Sequence, residues 1–94
     1  MYMRVVRFTD VDAEHLESRV AARGEEAAPP EGVKAKGITV MHDADQRTAV
    51  VVQLFETEQD MSDSEAALDG MDPSETPGTR ASVDRGEVKF DREA

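Results

Sequence analysis

Cysteine, tryptophan and asparagine are all missing from this 94-residue sequence, and its aromatic residues are three Phe and one Tyr. The absence of cysteine excludes disulfides and thiolate chemistry and leaves no mark of a redox compartment. The apolar fraction is 38%, against the roughly 45–50% usual for globular domains, so one copy of the chain builds only a thin core. No apolar run approaches the roughly 18 residues of a membrane span, and no secretory h-region opens the chain. A soluble cytoplasmic protein is therefore the expectation. Cations are in the minority, 11 against 21 acidic residues, for a net charge of −10. Binding to nucleic acid or to an anionic membrane needs clustered Lys and Arg, so neither is expected as a partner. A Gly-rich phosphate loop, a metal-ligand spacing and a Ser, His and Asp arrangement are also missing, so neither a metal nor another cofactor is expected. At this length a single domain, 1–94, is expected.

What is present is one stretch rich enough for a continuous core, Gly37 to Glu56, GITVMHDADQRTAVVVQLFE. Runs of Val, Ile and Thr flank the turn-forming Asp43, Ala44, Asp45 and Gln46, which predicts an antiparallel β-hairpin. With Ala44 and Asp45 at the tip, Met41 pairs with Thr48, Val40 with Ala49 and His42 with Arg47. One face then carries Lys36, Ile38, Val40, His42, Arg47, Ala49, Val51, Gln53 and Phe55. The other carries Gly37, Thr39, Met41, Thr48, Val50, Val52 and Leu54. Neither face is simply polar, as a water-facing side is, so both are expected to be covered. A thin core and a two-sided sheet predict a homodimer, in which a second copy supplies part of the burial.

Met3 to Thr9, MRVVRFT, predicts a first strand that puts Arg4 and Arg7 on opposite faces. A buried Arg needs a carboxylate or an anionic ligand, so each is either paired with Asp or Glu or a candidate for a pocket. Asp12 as N-cap, Val11 and Leu16 as a staple, and a stripe of Ala13, Leu16 and Val20 predict a helix to about Ala28, ended by Pro29 and Pro30. His15 lies off the stripe's centre and reads as a solvated helix residue, with no second metal ligand at helical spacing. Ser62 and Glu65 form a capping-box pattern that predicts a short second helix ending near Gly70, with Met61, Ala67, Leu68 and Met71 as its apolar residues. Asp72 to Gly78, DPSETPG, reads as a loop. Thr79 to Phe90 reads as a last strand with a bulge or bend at Arg85 and Gly86.

The resulting order, β-α-β-β-α-β, is the ferredoxin-like arrangement, an α+β fold with two helices on one face of a four-stranded antiparallel sheet. Over nearly the whole chain, in length and element order and without a signature motif, the sequence resembles the dimeric α+β barrel superfamily. Its members include antibiotic biosynthesis monooxygenase-like proteins, haem-degrading relatives and stress-responsive barrels. The resemblance implies two subunits packed sheet to sheet as a dimeric α+β barrel. It also implies a pocket between the sheet and helices of each, used by the superfamily's enzymes to oxidise a flat aromatic substrate. Those enzymes commonly place Asn, Trp or His there; Asn and Trp are absent here, and no residue carries over by motif.

The residues themselves offer a polar set on one hairpin face, His42 opposite Arg47 and Lys36 opposite Gln53, among Ile38, Val40, Val51 and Phe55. A mostly apolar pocket with a few polar anchors suits a small apolar or aromatic ligand. His42 is the candidate catalytic base, taking a proton from a phenol or enol while Arg47 steadies the anion. Arg4, Arg7, Lys36, Gln53 and Phe55 complete the candidate binding set. The competing expectation is a non-catalytic dimeric module for assembly or protein interaction, with a filled core and these side chains in water.

Overall fold

The computed structural model describes residues 1–25, 32–70 and 76–92. The elements are β1 (Tyr2–Thr9), α1 (Ala13–Glu25), β2 (Gly37–Asp43), β3 (Thr48–Phe55), α2 (Glu58–Asp69) and β4 (Thr79–Glu87). This is an α+β fold with the order β-α-β-β-α-β, and the strands form one antiparallel sheet ordered β2-β3-β1-β4. β1 and β2 both run opposite to β3, so the connection containing α1 crosses over the strand between them; α2 does the same over β1. The arrangement is compatible with the ferredoxin-like fold.

The hairpin register differs from the expectation by two residues. Asp43 pairs with Thr48, Val40 with Val51 and His42 with Ala49, which leaves a four-residue loop over 44–47. The cause is local. The Asp43 carboxylate accepts from the Gln46 backbone N–H at 3.2 Å and from its side-chain amide at 2.8 Å, and Arg47 adopts φ 56°, outside strand geometry. A shift of two residues keeps every strand side chain on its own face, so the two faces read from the sequence survive.

The same two bonds, the backbone N–H first, hold the Asp43 carboxyl below the ordinary carboxylate range. A depressed folded-state pKa contributes stability above the ordinary range that is lost as pH falls through the lowered value. Hydrogen exchange at the Thr48 amide, corrected for its intrinsic rate, is therefore expected to quicken in acid. Asp43→Asn keeps an acceptor but has no proton to gain, and its corrected rate is expected to stay flat with pH.

α1 starts as the sequence implies. The Asp12 carboxylate accepts from the Glu14 N–H at 3.0 Å, and its carbonyl accepts from the Leu16 N–H at 2.9 Å. Val11 and Leu16 are buried with Val6, Phe8 and Ala49, and Val51 packs against this cluster. The rest of the expected stripe is outside that core, since Ala13 and Val20 are exposed. Positions 26–28, assigned to this helix from sequence, lie outside the described residues.

α2 begins four residues before Ser62. Thr57 is its N-cap, accepting from the Asp60 N–H at 3.0 Å. A hydroxyl followed three residues later by an acid occurs at both 57–60 and 62–65, and the upstream start places Met61 and Ser64 on the buried side. The Ser64 hydroxyl donates to the Asp60 carbonyl and accepts from the Lys34 N–H, both at 2.7 Å, tying the approach to β2 onto α2. Met71 and most of the 72–78 loop lie outside the described residues.

β4 ends at Glu87 rather than Phe90, and Gly86 continues the ladder opposite Met3. The irregularity falls instead opposite Arg7 and Phe8, where Ala81 is the extra residue. It lies close to where the chain enters β4 against the end of β1. A Cβ on Gly78 would stand 2.4 Å from the Thr9 carbonyl oxygen and 3.1 Å from Val11 Cγ2. Backbone cannot yield as a flexible side chain does, so Gly78→Ala is expected to destabilise by about 2–3 kcal/mol, read as a lower urea midpoint.

The two faces of the sheet meet different surroundings. Tyr2, Arg4, Val6 and Phe8 of β1 share the helix side with Ala49, Val51, Gln53 and Phe55 of β3 and with Ile38, Val40 and His42 of β2. The opposite face carries Met3 and Val5, Met41, and Val50, Val52 and Leu54, with Arg7 and Asp84 beside them. The expectation that both sides of the hairpin are covered is therefore met only over β3 on the helix side; on β2 Ile38 and Val40 stay exposed even there. Both helices lie on the same face, and Met41 stays 57% exposed on the other.

Candidate functional site

Leu16 anchors α1 over the sheet centre, and toward the β2 edge the helix stands away from the strand. The result is an open groove of about 410 Å³ lined by Leu16, Glu17, Val20 and Ala21 of α1 and by Val40 and His42 of β2. The spacing explains the lining. Positions 16, 17, 20 and 21 fall on one helix face, and 40 and 42 point to the same side of a strand. Four apolar side chains make the walls, and the polar groups are Glu17 and His42. Val20 and Val40 are left 47% and 38% exposed, so apolar surface remains for an occupant to cover. An imidazole donates or accepts according to its tautomer, whereas a carboxylate at neutral pH only accepts.

The sequence-derived set is dispersed by the register and by the turn. His42 faces Ala49, and Arg47 has turned out of the strand, where its carbonyl accepts from the Val11 N–H at 2.9 Å. The expected pairing of His42 with Arg47 is thus not formed. Nor is Lys36 opposite Gln53, whose partner is Ile38; the Lys36 ammonium is exposed and bonds Glu56 Oε1 at 3.2 Å. Arg7 is exposed on the face away from the helices. Phe55 is fully buried and does not line the groove.

Arg4 is the buried cation, 4% exposed, and it is paired within the chain. Its Nη2 donates to Asp69 Oδ1 at 3.1 Å, its Nη1 reaches Gln53 Oε1 at 3.5 Å, and Nε lies 3.7 Å from Glu65 Oε2. Arg80 Nη1 donates to the same Asp69 oxygen at 2.7 Å, and Arg85 bonds Glu65. Three guanidiniums and two carboxylates therefore clamp α2 to β1 and β4. Of the two fates open to Arg4, carboxylate pairing is the one realised.

His15 is a further departure. Its Nε2 lies 2.9 Å from the Thr76 carbonyl oxygen, so that nitrogen carries the proton and the ring links α1 to the approach to β4. Sequence spacing gives no hint of it, because the partner is a backbone oxygen 61 positions away. From sequence, Glu17 reads as a water-facing residue beside the stripe of Ala13, Leu16 and Val20; its place on the groove depends on how far α1 stands from β2. Among the described residues no group of three or more His, Asp or Glu is placed to hold a metal ion. No helix among them is long and apolar enough to cross a membrane.

No protein-family model matches the chain, and no curated protein matches it in sequence.

Proposed function

We propose that this protein is a homodimeric binding protein for a small apolar or aromatic molecule, which it holds in the groove between α1 and β2. The observation that carries this reading is the groove itself: apolar walls left open to water, with His42 and Glu17 as the polar groups among the described lining residues. Sites for small molecules have this composition. Binding is favoured over oxidation because an anion formed by proton transfer to His42 meets Glu17 in the groove, whereas Arg47 is held in the turn. Titration with N-phenyl-1-naphthylamine, a neutral apolar fluorophore, tests the site. Saturable enhancement that is lost in Val40→Gln supports it; enhancement unchanged by that substitution, or none at all, overturns it.

The dimer half of the proposal rests on the other face of the sheet. Met3, Val5, Met41, Val50, Val52 and Leu54 form an apolar surface there, and Arg7 and Asp84 beside it have no ion-pair partner in the described chain. Two copies packed face to face bury the apolar residues and bring each Arg7 near the partner's acidic surface, the geometry of a dimeric α+β barrel. A net charge of −10 per chain opposes association, so added salt is expected to tighten the dimer. Light scattering is expected to give a dimer that Met41→Asp dissociates, Met41 being too exposed for that change to unfold the subunit. A wild-type monomer at micromolar concentration overturns the dimer.

A further inference from the structure

We infer that the groove selects apolar amines, molecules with a hydrophobic body and a cationic ammonium head, over carboxylic acids of the same skeleton. The inference rests on the binding site proposed above and adds the charge of the ligand. Glu17 is an exposed carboxylate on the groove wall, and no hydrogen bond or ion pair to another described residue engages it. A carboxylate accepts and never donates at neutral pH, so an ammonium is its natural partner.

Among the described residues the lining contains no cation. Of the cations set on this side of the sheet, Arg4 and Arg80 are committed to Asp69, Arg85 to Glu65, Lys36 to Glu56 and Lys34 to Asp63, while Arg19 of α1, whose Nε has no hydrogen-bond partner, does not line the groove. Asp43 follows His42 directly, and the chain as a whole carries −10, so the field at the groove mouth is negative. An anionic head entering this groove meets like charge and finds no guanidinium or ammonium among the described lining residues. A cationic head meets the free Glu17, while its hydrocarbon covers Leu16, Val20 and Val40. The apolar walls thus supply affinity and Glu17 supplies the choice.

The test compares three molecules of nearly one shape, 2-phenylethylamine, 2-phenylethanol and 3-phenylpropionate, in titrations followed by the methyl resonances of Leu16, Val20 and Val40. The expected result is shifts confined to those methyls, with the amine binding about tenfold or more tightly than the carboxylate, the difference opposite and like charges make at contact distance near a surface. The difference is expected to shrink in 1 M salt and to disappear in Glu17→Gln, an exposed substitution that leaves the fold intact. A carboxylate that binds as tightly as the amine, or a preference that survives Glu17→Gln, overturns the selectivity while the alcohol's shifts leave the binding site standing. No methyl shift with any of the three overturns the site and the selectivity together.

Discussion

Phe55→Ala is expected to destabilise the protein by about 3–5 kcal/mol, a large part of the total for a domain of this size. Phe55 has no exposed surface and ends β3 opposite Tyr2, on the side of the sheet against which α2 lies. In a chain with so few aromatic residues, no other large side chain stands ready to fill the space. Urea unfolding is expected to show a midpoint lower by more than about 1 M, with a slope close to wild type if the loss is confined to the folded state. Phe55→Leu, which keeps most of the volume, is expected to cost less than about 1.5 kcal/mol. A Phe55→Ala midpoint near wild type means that α2 closes over the gap, and that the core is more plastic than its burial implies.

Arg4→Met is expected to be the second large effect, about 2–4 kcal/mol, or a fall of roughly 10–25 °C in Tm. The substitution keeps the apolar stem and removes a charge that is 4% exposed, leaving Glu65 and Asp69 with Arg85 and Arg80 alone. Glu65 is the more enclosed acid, its side chain 16% exposed against 50% for Asp69, so most of the penalty falls on it. The sign is testable within the cluster. Adding Glu65→Gln to Arg4→Met removes a partly buried carboxylate that has lost one of its two guanidiniums, and the double variant is expected to recover part of the lost stability. If it is instead less stable than the single variant, the Glu65 contact with Arg85 outweighs the one with Arg4. Neither Arg4 nor Phe55 lines the groove, so Phe55→Leu is expected to bind the fluorophore as wild type does.

The element order was legible because its signals are local. Runs of β-branched and other apolar residues mark β1 and the hairpin, Asp12 caps α1, and Gly70 closes α2. Face assignment on the hairpin survived even a wrong register, since the error was an even number of residues. The register was not legible, because it depended on the Asp43 carboxylate reaching Gln46 and on Arg47 entering a left-handed conformation that an Arg seldom takes. The start of α2 was missed for a related reason: two capping patterns stood five residues apart, and burial of Met61 and Ser64 decided between them. In the candidate site, His42 was found from its place on the hairpin. Glu17 was not, because a helix residue that flanks an apolar stripe looks the same whether it faces water or a groove. The carboxylate partners of Arg4 lie on α2, more than 60 positions away, where sequence spacing carries no information.

Native mass spectrometry of the protein purified from its own host, set against the same sample denatured, tests ligand binding and pairing together. The expected spectrum is a dimer carrying an additional small mass that leaves on denaturation and proves to be an apolar amine. A monomer contradicts the pairing through the open sheet face. A dimer free of any such mass, in protein whose groove also fails to take up the fluorophore, contradicts the binding function and leaves an assembly module in its place.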